Sequence, residues 1–244
     1  MSAKTAIITR EEFAAAPAFA GTTGSRSLAA MQSKALVPFL KVVQAQKTDT
    51  YDDFNAGALV LMPDKIELTT PLVAVPLFFR PSWQKRRDRK DKSGGNNPIV
   101  EQSFLPTSDV ARRAMSSDLW EEPYPGGGDM KYKYCESLNF VFWIPAHNTA
   151  SGYSFQIGSH KEGARLCSHL ARIRTADGQP VAPHANRLEL DIIKTSNPNG
   201  ESYYVLTFRQ AAAPYVDGQT FNDLTSLVQE LEDQFTFTTA EEND

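Results

Sequence analysis

Three features of the chain predict a mainly β fold with a few helices (α+β), an OB-like partly open β-barrel with helical decorations. Short runs rich in β-branched and aromatic residues recur between turn signals. Only one internal segment has clear helical spacing, and the loops between strands are long. No internal repeat is apparent.

Along the chain, residues 1–33 are rich in Ala, Ser, Thr and Gly without a sustained period and predict a mobile N-terminal arm, with one short helix around REEFAAAPAFA. KALVPFLKVVQA at 34–45 is β-prone, and Pro38 places it at a strand start or a sheet edge. The turn QKTDTYDDFNAG leads to a short buried strand, ALVLM at 58–62. LTTPLVAVPLFFRPSW extends the chain, because Pro71, Pro76 and Pro81 exclude a helix interior. SGGNNP at 93–98 is a loop, IVEQSFLP a short strand, and SDVARRAMSSDLW a small helical insertion before the turn-rich PYPGGGD.

The strongest strand signal is KYKYCESLNFVFWIP at 131–145, followed by GYSFQIG at 152–158. Alternation puts Lys131 and Lys133 on one face and Tyr132 and Tyr134 on the other. SHKEGARLCSHLARIR at 159–174 is the internal helix, with Ser159 as its cap and Leu166, Leu170 and Ile173 at helical spacing. RLELDIIKT and SYYVLTFRQ form a hairpin around Asn199 and Gly200, and NDLTSLVQELEDQF at 222–235 is an amphipathic helix. The predicted organisation is an arm at 1–33, a barrel domain at 34–210 and an acidic helix and tail at 211–244.

Charge is distributed unevenly. The net charge of -4 comes from 25 basic and 29 acidic residues, yet no Lys or Arg follows Arg209. Eight acids lie beyond it (Asp217, Asp223, Glu230, Glu232, Asp233, Glu241, Glu242, Asp244), so residues 1–209 carry 25 basic residues against 21 acids. A basic body with an acidic tail suits a nucleic-acid binder with an interaction tail, although a solvated C-terminal helix has the same composition. The apolar runs LVAVPLFF and FVFWI are far shorter than the roughly 20 residues that span a bilayer. No membrane association is expected, and the N-terminus lacks the basic and apolar blocks of a signal peptide, so the expected location is cytoplasmic.

Motifs for catalysis are absent. Cys135 and Cys167 form no C-x-x-C unit, the four histidines are scattered, and no cofactor or metal is expected. Glu189, Asp191 and Lys194 faintly resemble the acid and lysine set of metal-dependent nucleases, but alternation divides them between two strand faces.

For binding, the densest feature is RPSWQKRRDRKDKSGG at 80–95. Arg80, Lys85, Arg86, Arg87, Arg89, Lys90 and Lys92 stand against Asp88 and Asp91, with Trp83 among them. Cations of this kind neutralise phosphates without reading sequence, and an aromatic face stacks any base. Lys131, Tyr132, Lys133, Tyr134, Tyr203 and Arg209 extend the candidate set over the predicted strands. The alternative is that Trp83 plugs the core and the charges only solvate a loop.

The layout of KALVPFLKVVQAQ, PLVAVPLFFRPSWQKR, CESLNFVFWIP, SHKEGARLCSHLARIR and NPNGESYYVLTF resembles a family of phage single-stranded DNA-binding proteins over about residues 34–209. The resemblance implies an OB fold in which the strands around Phe78 to Trp83 and Cys135 to Trp143 contact the DNA. It also implies an acidic C-terminal segment that recruits replication or recombination proteins and competes with DNA for the basic groove. Relatives carry several cysteines before the C-x-x-x-N-F segment, whereas only Cys135 stands there. The expected function is therefore non-catalytic binding of single-stranded DNA, in host cytoplasm, with a homodimer allowed. A phage assembly protein and a metal-dependent nuclease are the alternatives.

Overall fold

The computed structural model describes residues 38–45, 53–87, 99–116, 121–126, 131–197 and 200–237, all within one unit, Val37–Asp244. The predicted arm at 1–33 and the cations Arg89, Lys90 and Lys92 lie outside the described residues.

Ten strands form one strongly curled half-barrel sheet. They are β1 (Phe39–Val42), β2 (Leu59–Met62), β3 (Ile66–Leu68), β4 (Leu72–Arg87), β5 (Ile99–Ser103), β6 (Glu121–Pro123), β7 (Lys131–Ile144), β8 (Thr149–Gln156), β9 (Asn186–Ser196) and β10 (Ser202–Tyr215). Among the described residues three helices decorate it: α1 (Asp109–Met115), α2 (His160–Arg172) and α3 (Gly218–Phe237). The sheet order is β10-β9-β4-β7-β8-β1-β2-β3, with β5 on β4 and β6 on β7.

Its heart is a Greek key. β4, β7 and β8 follow one another as antiparallel neighbours, α2 crosses over, and β9 returns to lie beside β4, giving the spatial order fourth, first, second, third. β10 adds the fifth strand of an OB-like barrel. Leu72, Leu138, Phe140, Phe142, Phe155, Leu190 and Leu206 point inward to one core, and Leu166 and Leu170 of α2 plug it. Gly163 lets α2 approach so closely, since a Cβ there would lie 2.6 Å from Phe155 Cβ.

β4 is longer than its apolar run. It continues through the basic stretch to Arg87, paired with β7 from Val75↔Trp143 to Arg87↔Tyr132. Pro76 sits at a register shift, and Pro81 falls after β9 has left β4 at Ala74 and before β5 joins it at Trp83. Proline is tolerated there because β4 has a neighbour on one side only. The far end of the β4/β7 ribbon is a wing with its own small core, Trp83 and Tyr134 under Val110 and Ala111 of α1.

Three details differ from the sequence expectation. β10 runs on to Tyr215, so residues 211–215 belong to the sheet and not to a tail. α3 is packed as well: Leu224 and Leu231 cover Val75, Leu77, Phe78 and Val141 on the outer face. Ser159 forms no cap bond to α2; its hydroxyl accepts from the Gln156 N–H in the turn before the helix. Among the described residues no helix is long and apolar enough to cross a membrane.

Candidate nucleic-acid interface

Side chains alternate across a strand, so β4 does not present its basic run on one surface. Trp83, Lys85 and Arg87 face the wing core, while Arg80, Ser82, Gln84 and Arg86 lie on the opposite face of the strand, where Ser82 and Gln84 are themselves buried. The single basic aromatic patch expected from the sequence is thus divided in two, with different environments.

Toward the wing core the predicted residues are already engaged. Trp83 is only 4% exposed against Val110, Ala111 and Tyr134, so it offers no face to a base. Tyr134 is also buried, at 6%. Lys85 forms an ion pair with Glu122 and lies 4.2 Å from the centre of the Tyr132 ring. Burial works against its charge, but Glu122 and Tyr134 hold the Lys85 pKa above the ordinary lysine value. Burial likewise opposes the Glu122 carboxylate, yet Lys85, Tyr134 and Arg113 bring its pKa below the ordinary value. Arg113 also pairs with Glu122, and Arg87 stands over Tyr124, 5.8 Å from the ring centre. These contacts lock α1, β6 and the ribbon together. They make this half of the basic cluster a structural element, contrary to the expected exposure.

The outward face is different in character. Arg86 donates to Gln84 Oε1 at 2.8 and 2.6 Å and to Gln156 Oε1 at 2.7 Å. Asn139 donates to the Arg80 carbonyl at 2.9 Å and to Ser82 Oγ at 3.1 Å, and accepts from Ser137 at 3.0 Å and Ser154 at 2.7 Å. This floor of satisfied polar groups lies across β4, β7 and β8. Arg80 stands over Phe104 at 4.6 Å, and Lys131 and Lys133 continue the cationic edge along β7. On the other side β1 joins β8 at Phe39↔Gly152. Leu40 and Val42 point inward, so Phe39 points out and is 44% exposed. A strip running from Phe39 to Lys131 therefore combines an exposed aromatic ring, a polar floor and four cations: Arg80, Arg86, Lys131 and Lys133.

The sequence reading missed Phe39, Gln84, Asn139 and Gln156. The signal for Phe39 was the alternation FLKV itself, with apolar residues at both parities. Tyr203 and Arg209 lie elsewhere, on β10, with β9 and β4 between them and β7. The Tyr203 hydroxyl donates to the Gly158 carbonyl at 3.3 Å, and Arg209 pairs with Glu189 at 2.6 Å.

That last pair bears on the nuclease alternative, because it engages one of the two acids it needs. The Asp191 carboxylate accepts the Ile192 N–H at 2.8 Å, and among the described residues no three His, Cys, Asp or Glu side chains are grouped to hold a metal ion. Burial, with the Glu136 charge adding to it, pushes the Cys167 thiol up to about 11, which keeps it protonated at neutral pH. Compared with known proteins, the chain matches no family model, no curated protein and no solved structure.

Proposed function

We propose that this chain is a non-catalytic, sequence-independent single-stranded DNA-binding protein of the phage type, acting in replication or recombination in the host cytoplasm. One observation carries the reading: Phe39, Arg80, Arg86, Lys131 and Lys133 share the outer face of β1, β8, β7 and β4 around a polar floor. In OB folds the face of the second and third strands receives oligonucleotides, and here β7 and β8 hold those positions. The cations would contact phosphates, and Phe39 would stack a base of any kind. α3 covers the apolar end of the same outer face, and the acids that follow it in sequence suit a role in recruiting partner proteins and competing with DNA.

Fluorescence anisotropy of a labelled oligothymidylate, titrated at two salt concentrations, tests the reading. Expected is binding whose log K falls with log salt by about 0.7 per phosphate contacted. No binding at low salt, or affinity indifferent to salt, would sink it. Intact oligonucleotide after incubation with magnesium is expected; degradation would favour the nuclease alternative.

A further inference from the structure

β6 is a three-residue strand, Glu121-Glu122-Pro123, laid against the outer edge of β7. Alternation sends its two acids to opposite faces. Glu122 turns to the wing core and holds Lys85 and Arg113. Glu121 turns outward to the proposed binding strip, where its carboxylate lies 3.1 Å from Lys131 Nζ and 3.6 Å from Lys133 Nζ. The two lysine side chains are 52% and 42% exposed and Glu121 is 25% exposed, so one carboxylate sits between two solvent-facing ammonium groups.

We infer that Glu121 holds the place of a backbone phosphate: its carboxylate occupies the position between Lys131 and Lys133 that a phosphodiester of the bound strand takes over. The inference rests on the DNA-binding reading above and names one subsite of it. A carboxylate and a phosphate present similar acceptor oxygens to an ammonium, and a pair of this exposure contributes little to folding, so exchange costs the protein little. Because Glu122 is tied to a half-buried lysine and to Arg113, β6 stays docked while the Glu121 side chain turns away. The acid then acts as an internal competitor that lowers affinity and discriminates against weakly charged ligands.

The test is Glu121→Gln in the full chain, titrated with labelled oligothymidylate beside the parent. Removing one charge at this distance should tighten binding about fivefold at low ionic strength, with the gain fading as salt rises. The log–log salt slope should steepen by about 0.7, because no displaced carboxylate then takes up a cation in exchange for the one the phosphate releases. In a Lys131→Ala, Lys133→Ala background the same change should gain much less, because the pair it unmasks is gone. A parent that binds while Glu121→Gln binds equally or more weakly overturns the inference and leaves the DNA-binding reading standing. Failure of both proteins to bind removes both. An equal gain in the lysine-deleted background shows a general charge effect and also overturns it. Thermal melting should be unchanged in Glu121→Gln, which separates the result from misfolding.

Discussion

The side chain of Gln44 takes the place of a missing strand beside Tyr204. Its Oε1 accepts the Tyr204 N–H at 2.9 Å and its Nε2 donates to the Tyr204 carbonyl at 2.8 Å, so one amide bridges the chain after β1 to the open edge of β10. Gly57 supports the same junction: its φ is +90°, and a Cβ there would lie 2.9 Å from the Tyr204 ring. Replacing Gln44 with Ala leaves both Tyr204 backbone groups without their partner and should cost about 1–3 kcal/mol in urea unfolding. Hydrogen exchange at the Tyr204 amide should speed up in step. An unchanged unfolding midpoint would show that water serves this edge equally well.

Trp83 and Phe39 should behave oppositely. Trp83→Ala opens a cavity under α1 and should lose about 3–5 kcal/mol of stability. Phe39→Ala should leave the melting temperature nearly unchanged and weaken oligothymidylate binding by about 1–3 kcal/mol, the worth of one stacked base. Wild-type affinity in the Phe39 variant would remove the aromatic from the proposed interface.

His184 couples α3 to the barrel and makes that docking acid-sensitive. Its ring stacks on Phe221 at 4.7 Å and its Nε2 lies 3.0 Å from Thr225 Oγ1. Burial pushes its pKa below the ordinary 6.5, with the Glu232 charge acting in the opposite direction. The unfolded chain therefore takes up the proton first, so this contribution is complete above about pH 6.5 and is lost as pH falls below it. The parent's melting temperature should drop between pH 7 and 5.5 by more than that of His184→Gln. Parallel pH profiles would contradict this assignment.

Truncations should separate the helix from the acids that follow it. Ending the chain after Phe237 removes Glu241, Glu242 and Asp244 and should tighten DNA binding at low salt, with melting unchanged. Ending it before Gly218 uncovers Val75, Leu77, Phe78 and Val141, a loss on the order of 5 kcal/mol or more, enough to unfold a marginal domain. A shorter chain that melts like the parent would mean α3 is only a solvated appendage.

Much of the fold was legible along the chain. The apolar and β-branched runs became β1, β2, β4, β5, β7, β8, β9 and β10, helical spacing located α2 and α3, and start and stop signals located α1, because these signals are local. β6 was not legible, since Glu-Glu-Pro has no strand propensity and its place beside β7 is anchored by Glu122, which pairs with Lys85 and with Arg113, a residue of α1.

The site was half legible. Alternation was sufficient to say that Lys131 and Lys133 oppose Tyr132 and Tyr134 on β7, but the expected strand ended at Trp83, and only the structure carries β4 through Lys85, Arg86 and Arg87. Nor could it say which face of β4 would be covered, because a period of two defines two faces and leaves the choice between them to packing partners distant in sequence. α1 settled that choice by closing over Trp83, and β1 settled the other end by leaving Phe39 outside. Local chemistry thus selected the strands and the charges, and only long-range packing decided which of those charges meets solvent.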